Sequence, residues 1–194
     1  MKRLVALGIS IGVLAGLFTF VAFSLTNIGS WTAPLSVWVG FAAWAMFYAR
    51  GGGTQGLVTS GASIVSGVVW GWLIATGWSL VTSATTGAHT SFAILGLAVA
   101  IGAFAMCVQA SVPALSFIPA AFVGAAAYFG LQGAAGFAGP GFWTVLVSVI
   151  GGTLLAFASE KGADVIEKAM GLPAGDPAEA GGSHQSPARE AAAG

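Results

Sequence analysis

Long apolar runs alternate along this chain with short joints of small and polar residues. Six runs stand out, at 4–25, 31–48, 57–80, 92–110, 114–131 and 142–159. A bilayer core about 30 Å thick takes about 20 apolar residues of α-helix, with a range of roughly 17 to 25. The joints read "TNIGS", "RGGGTQG", "TSATTGAHT" and "QGAAGFAGPG". Strict in–out alternation, the mark of a transmembrane barrel, is missing. The pattern predicts an all-α integral membrane protein with six transmembrane helices. The first run follows Met1-Lys2-Arg3, as a secretory signal would. It is nevertheless longer than an apolar signal core of about 7–15 residues, and no small-x-small pair ends it, so it reads as a first membrane helix.

The fifth run is the irregular one. The joint at 109–113 is the tightest in the chain, and Pro113 and Pro119 fall six residues apart. Inside a helix, Pro119 would leave the Leu115 carbonyl without its donor, and in lipid that group must find another partner. Two outcomes are open: a mild kink absorbed by Ser116 and its small neighbours, or an unwound segment at 113–119 whose carbonyls face a cavity.

Composition strengthens the membrane reading. Hydrophobic residues make up 57% of the chain and charged ones 6%, with a mean hydropathy of +0.91, against about a quarter charged in a soluble domain. Every acidic residue lies at or after Glu160, and 51–159 holds no Asp, Glu, Lys or Arg. With the N-terminus inside, Lys2, Arg3, Arg50, Lys161 and Lys168 all fall on the cytoplasmic side, as the positive-inside rule asks. Trp31, Trp78 and Trp143 then sit at outer helix ends, at the headgroup level their rings prefer. Both termini are expected in the cytoplasm. The segment 160–171 reads as a short amphipathic helix with Val165, Ile166 and Met170 toward the membrane surface. The tail 172–194 has too little to bury to offset its ordering entropy and reads as disordered.

Two packing patterns follow. A shift of 80 residues lays "PLSVWVGFAAWAMFY" (34–48) on "ALSFIPAAFVGAAAY" (114–128), pairing Ser36 with Ser116 and Tyr48 with Tyr128. With a slightly larger offset, "SIVSG" (63–67) meets "SVIGG" (148–152). Three helices per unit is an odd number, so such a repeat is inverted, a 3+3 arrangement common in transporters. Small residues four apart let backbones approach in lipid, and they occur as Gly8, Gly12 and Gly16, as Ser63, Gly67 and Gly71, and as Ser148 and Gly152. Such faces either close the bundle or join copies into a homo-oligomer.

Candidate chemistry is sparse. Cys107, in an apolar run, reads as a small buried hydrophobe. His89 and His184 have no ligand-spaced neighbours, whereas a zinc site needs three or four convergent ligands; no metal and no cofactor are expected. "RGGGTQG" lacks the Lys and the strand–turn–helix setting of a phosphate loop and reads as a flexible turn. General acid–base or nucleophilic chemistry needs an ionisable group near a partner, and the apolar body supplies none apart from Cys107 without a base and His89 in an outer loop, so the chain is read as not an enzyme. Ion-coupled transport also asks for ionisable groups within the helices. Passive passage of a small neutral solute asks only for polar positions, and Ser36, Gln109 and Ser116, with Ser63, Ser66 and Ser148, are the candidates beside the kink at Pro119. Each of these is also a plausible helix-packing hydrogen bond.

"SGVVWGWLI" (66–74), "AFAMCVQA" (103–110), "LSFIPAAFVGA" (115–125) and the upstream "WVGFAAWAMFYARGGGTQGL" (38–57) resemble the bacterial inner-membrane family of domain of unknown function 1097 (DUF1097, YcdZ-like). The resemblance covers roughly 8–160. Here the turn reads Arg50-Gly51-Gly52, where the family leads one to expect a Pro-containing variant. The resemblance implies a multi-pass inner-membrane protein and brings no substrate. Two functions are carried forward: a passive channel or facilitator for a small uncharged solute, and a non-transporting membrane scaffold or regulatory partner. The expected partners are the lipid bilayer, a further copy of the chain and a small neutral solute, with no nucleic acid.

Overall fold

The computed structural model describes residues 2–26, 35–82, 88–132 and 141–171. They form six α-helices: α1 (Lys2–Thr26), α2 (Val37–Ala49), α3 (Gly53–Thr82), α4 (Ala88–Val108), α5 (Ile118–Gln132) and α6 (Gly141–Ala169). Two 3₁₀ turns, Gln109–Ser111 and Pro113–Leu115, join α4 to α5. Among the described residues there is no strand.

Four helices contain a stretch long and apolar enough to cross a bilayer: Arg3–Leu25, Gly53–Val81, Phe92–Ser111 and Gly141–Ala169. The other two differ from the expectation of six full spans. The helices α2 and α5 have 13 and 15 residues, or ~20 and ~22 Å at 1.5 Å per residue, short of a core of about 30 Å. The expected fifth span at 114–131 loses its first turn to the prolines. Pro113 opens a 3₁₀ turn, and Ser116 and Phe117 lie outside any helix. Pro119 is the second residue of α5, in the first turn, where a missing N–H costs nothing. This is a break, and the mild kink is ruled out. The second run, expected at 31–48, becomes helical only at Val37; residues 31–34 lie outside the described residues.

Burial sorts the helices. Only 17% and 11% of the α1 and α4 spans are buried, against 44% and 39% for α3 and α6. The central pair is therefore α3 and α6, with α1 and α4 on the outside showing apolar side chains such as Val13, Phe20, Leu97 and Phe104 to the surroundings. The main core joins Val39 and Ala43 of α2, Ile64 and Val68 of α3, Ala120 and Tyr128 of α5, and Val145 and Val149 of α6. The most extensive packing is of α5 on α3 and of α2 on α6.

At its C-terminal end α6 departs from the expectation of a separate amphipathic helix over 160–171. It runs unbroken to Ala169. Val165 and Met170 are exposed, while Glu160, Ala163 and Glu167 are buried. The reason is the length of α1, whose first turns extend alongside this part of α6 and cover its inner face: Arg3 approaches Glu167 at 3.7 Å, and Ser10 donates to the Ser159 carbonyl at 2.8 Å. The tail at 172–194, with His184, lies outside the described residues.

Candidate functional site

Two crossings dominate the interior, and each is built from the same parts. In the first, α5 runs alongside α3 in the same direction. The hydroxyl of Ser63, fully buried, accepts the backbone N–H of Phe117 at 3.3 Å, just ahead of α5. One turn on, a Cβ at Gly67 would strike the Ala121 backbone carbonyl, and a Cβ at Gly71 would meet the Ala125 carbonyl at 3.2 Å and the Tyr128 Cβ at 3.0 Å. In the second crossing α2 runs alongside α6. The hydroxyl of Ser148, also fully buried, accepts the backbone N–H of Ser36 at 2.7 Å. One turn on, a Cβ at Gly152 would strike the Gly40 carbonyl. These glycines are required by close approach: each lets a neighbouring carbonyl occupy the space of a side chain.

The short helices therefore begin inside the bundle. Ser63 lies about ten residues, ~15 Å, along α3 from Gly53. Ser148 lies about seven residues, ~10 Å, along α6 from Gly141. Meanwhile α3 and α6 run in opposite directions, since Gly53 meets Glu160 and Gly61 meets Thr153.

Next to the first crossing sits a cluster of polar side chains. Ser63, Ser66 and Trp70 share one face of α3, at spacings that stack along a helix. Ser66 Oγ donates to Gln109 Oε1 at 2.6 Å, and Trp70 Nε1 donates to the same oxygen at 3.0 Å. Because an indole N–H is only a donor, it settles which end of the Gln109 amide is oxygen. The other end, Nε2, is buried and has no hydrogen-bond partner among the described residues. Below it, the Arg50 guanidinium lies 5.9 Å from the centre of the Phe117 ring.

The charged end of the bundle is closed by polar contacts. Gly51, Gly52 and Gly53 all have positive φ (99°, 71° and 66°), which lets the chain leave α2 and enter α3 within a few residues. This is a defined turn where the sequence suggested a flexible one. Glu160 of α6 caps it: Gly53 N–H donates to Glu160 Oε2 at 2.8 Å, placing a carboxylate at the positive end of α3. Beside it, Tyr48 Oη and Ser159 Oγ are 2.7 Å apart, and Ser159 Oγ donates to the Ala156 carbonyl at 2.7 Å. Glu160, Ser159, Tyr48, Glu167 and Trp70 escaped the sequence reading. The seven-residue spacing of Glu160 and Glu167, which puts both on one helix face, was the available signal.

The residues singled out from sequence fare differently. Ser36 supplies its backbone N–H to Ser148 and forms no side-chain cap for α2. Ser116 does not join it: it is exposed, and its hydroxyl turns back to the Pro113 carbonyl at 2.8 Å, because the 3₁₀ turn presents that oxygen to it. Gly8, Gly12 and Gly16 lie on the exposed side of α1 with nothing within 4 Å of a built Cβ. The face of α1 that packs carries Ala6, Ser10, Phe18 and Ala22 instead. Cys107, expected buried, is exposed on α4, an outer helix with little to pack against. Residue 89 falls in the first turn of α4 rather than in a loop. A groove of ≈ 300 Å³ runs between α3 and α6, lined by Leu57, Val58, Gly61, Ile150, Thr153 and Leu154 among others. It is apolar, since the Thr153 hydroxyl is committed to the Val149 carbonyl. Among the described residues no three His, Cys, Asp or Glu converge as metal ligands.

Comparison with known proteins gives the chain relatives. It is 38% identical over 135 residues to the "Inner membrane protein YcdZ" of Escherichia coli (strain K12), covering 69% of this chain and 73% of that protein. The protein of the same name from Salmonella typhimurium is 34% identical over 134 residues, 69% of this chain and 74% of its own length. "Uncharacterized protein YahC" of Escherichia coli (strain K12) is 31% identical over 172 residues, 87% of this chain and 96% of its own. No solved structure matches the chain. The family described as "Protein of unknown function (DUF1097)" matches over residues 8–164, a stretch that takes in both crossings, the Gln109 cluster and the Glu160 cap, and the chain belongs to that family.

Proposed function

We propose that the chain is a passive facilitator for a small uncharged solute in the bacterial inner membrane. In this reading six membrane-crossing segments form a 3+3 inverted repeat with both ends in the cytoplasm. The observation that carries it is the pair of short helices, α2 and α5, that begin inside the bundle and run outward in opposite directions. Irregular backbone at membrane depth is tolerated where protein buries it or where it lines a cavity, and broken helices at a repeat interface are where transporter sites form. The repeat is supported by the correspondence of the two crossings: Ser36 on Ser148 with Phe117 on Ser63, and Gly40 on Gly152 with Ala121 on Gly67. The opposed directions of α3 and α6 support the inversion. The membrane assignment draws on the relatives' name and on the four long apolar helices. Helix starts facing the interior carry partial positive charge, which disfavours cations. The lack of Asp, Glu, Lys and Arg between 51 and 159 argues against ion coupling through a fixed charge and against acid–base catalysis by a carboxylate or lysine.

Osmotic swelling of proteoliposomes with a panel of small neutral solutes tests this reading. At least one solute is expected to cross faster than in protein-free liposomes. Equal rates across the whole panel would overturn the facilitator.

A scaffold is the second reading, and one observation favours it. The ridge of Gly8, Gly12 and Gly16 faces away from the bundle with open space above it, a surface suited to another helix in lipid, including that of a second copy. Cross-linking in native membranes through a cysteine at residue 12, in a chain lacking Cys107, is expected to trap a neighbour under this reading, and a ridge facing only lipid would leave monomer.

A further inference from the structure

We infer that the Gln109 amide is a recognition point for a small neutral carbonyl compound, a claim that rests on the facilitator reading and names the class of its solute. Three observations converge on it. First, the orientation of the amide is fixed: Trp70 Nε1 and Ser66 Oγ both donate to Oε1 at 3.0 and 2.6 Å, which fills that oxygen's two lone pairs. Second, both N–H groups of Nε2 are then left as donors, buried and without a partner among the described residues. Buried polar groups are nearly always paired, and an exception calls for a missing partner. Third, the surroundings of Trp70 are apolar, formed by Met106, Ala121, Ala125 and Phe129, so the partner must bring its own acceptor and little charge.

Charge is the first filter on that partner. The groups set around Gln109 are a hydroxyl, an indole and apolar side chains, none of which pairs a carboxylate, while Arg50 at this crossing lies over the Phe117 ring; an unpaired buried charge is far more costly than a neutral dipole. A primary ammonium has no acceptor to offer Nε2. A neutral carbonyl oxygen fits. A donor amine in an apolar wall therefore matches a small neutral solute that presents a carbonyl oxygen, of which an amide such as acetamide is the simplest probe. The break at 109–117 creates the site: it places Gln109 in a 3₁₀ turn against Ser66 and Trp70 of α3, where a continuous helix would have carried it onward along its own axis.

The experiment uses the full chain in nanodiscs and proteoliposomes with acetamide as the probe and methylammonium as the charged control. Saturation-transfer NMR is expected to show acetamide contact with the wild type and none for methylammonium. Gln109→Met should lower that signal and the acetamide permeability by about tenfold, the equivalent of one lost hydrogen bond. Where Gln109→Met does not fold, Gln109→Glu keeps an acceptor for Ser66 and Trp70 while replacing the amine, and should lower both in the same direction. Acetamide flux that neither variant changes, with no Gln109-dependent signal, would overturn the site and leave the facilitator standing. A Gln109-dependent signal with no flux of acetamide or of any other solute in the panel would sustain the site and overturn the facilitator. Absence of both would overturn the two together.

Discussion

The α2–α6 crossing and the α3–α5 crossing use one device and end differently. In each, a buried serine on a long helix accepts the N–H at the start of a short helix, and a glycine one turn later admits a carbonyl from that helix. Beyond that point the α2–α6 crossing continues into a network of Tyr48, Ser159, Ser10 and the Glu160 cap, with the indole N–H of Trp44 buried beside it and unpartnered among the described residues. The α3–α5 crossing instead lies beside Gln109, whose Nε2 is left over. One crossing is a lock closed by a buried carboxylate and hydroxyls, and the other sets an amide donor, unpartnered among the described residues, where α4 breaks. The difference teaches that similar backbone packing holds both short helices in place, while the few polar side chains around each decide what that region does.

Substitutions at the two glycines give the largest expected effect and test whether the crossings are equivalent. Gly67→Val and Gly152→Val each force a side chain into space held by a backbone carbonyl. Overpacking of this kind costs about 1–3 kcal/mol and more where backbone must move. Both variants should lose most of the folded, monodisperse protein recovered in detergent, to a similar extent. A strong loss in one and none in the other would break the equivalence.

The next effect is specific to the lock. Glu160→Ala strips the N–H of Gly53 of its acceptor and removes a carboxylate from the start of α3, a loss of about 1–3 kcal/mol. Thermal unfolding should show a clear drop for this variant and a smaller one for Glu160→Gln, which keeps an oxygen acceptor without the charge. Equal drops would mean that the charge does the capping and the hydrogen bond adds nothing.

The smallest effect is expected at Ser116. Its hydroxyl bonds only within its own turn and the residue is exposed, so Ser116→Leu should leave both solute flux and melting temperature close to the wild type. A loss of flux with normal melting would place the solute's route past this residue and away from Gln109.

Much of the architecture was legible because it follows from local physics. In lipid the backbone must satisfy its own hydrogen bonds, so apolar runs of the right length had to be helices, and four helices with that length and composition are present. The prolines marked the irregular segment for the same reason, since a missing N–H is a local fact. The repeat pattern picked out Ser63, Gly67, Ser148 and Gly152, which all sit at the crossings. The glycines at 8, 12 and 16 have the same spacing and face outward, because spacing identifies a face without saying what opposes it.

The sequence by itself determined the solvent, the helical class, the break near Pro113 and the short list of polar residues. Only the tertiary structure decided how those residues are used. It showed that α2 and α5 start in the interior, that Ser116 turns to the surface, that Glu160 caps a helix more than a hundred residues away in the chain, and that Trp70 fixes the Gln109 amide. The physical reason is one of range. Hydrogen-bond satisfaction along a helix is set within about four residues, whereas a serine accepting a distant N–H, or a glycine admitting a distant carbonyl, depends on which helices meet and at what height.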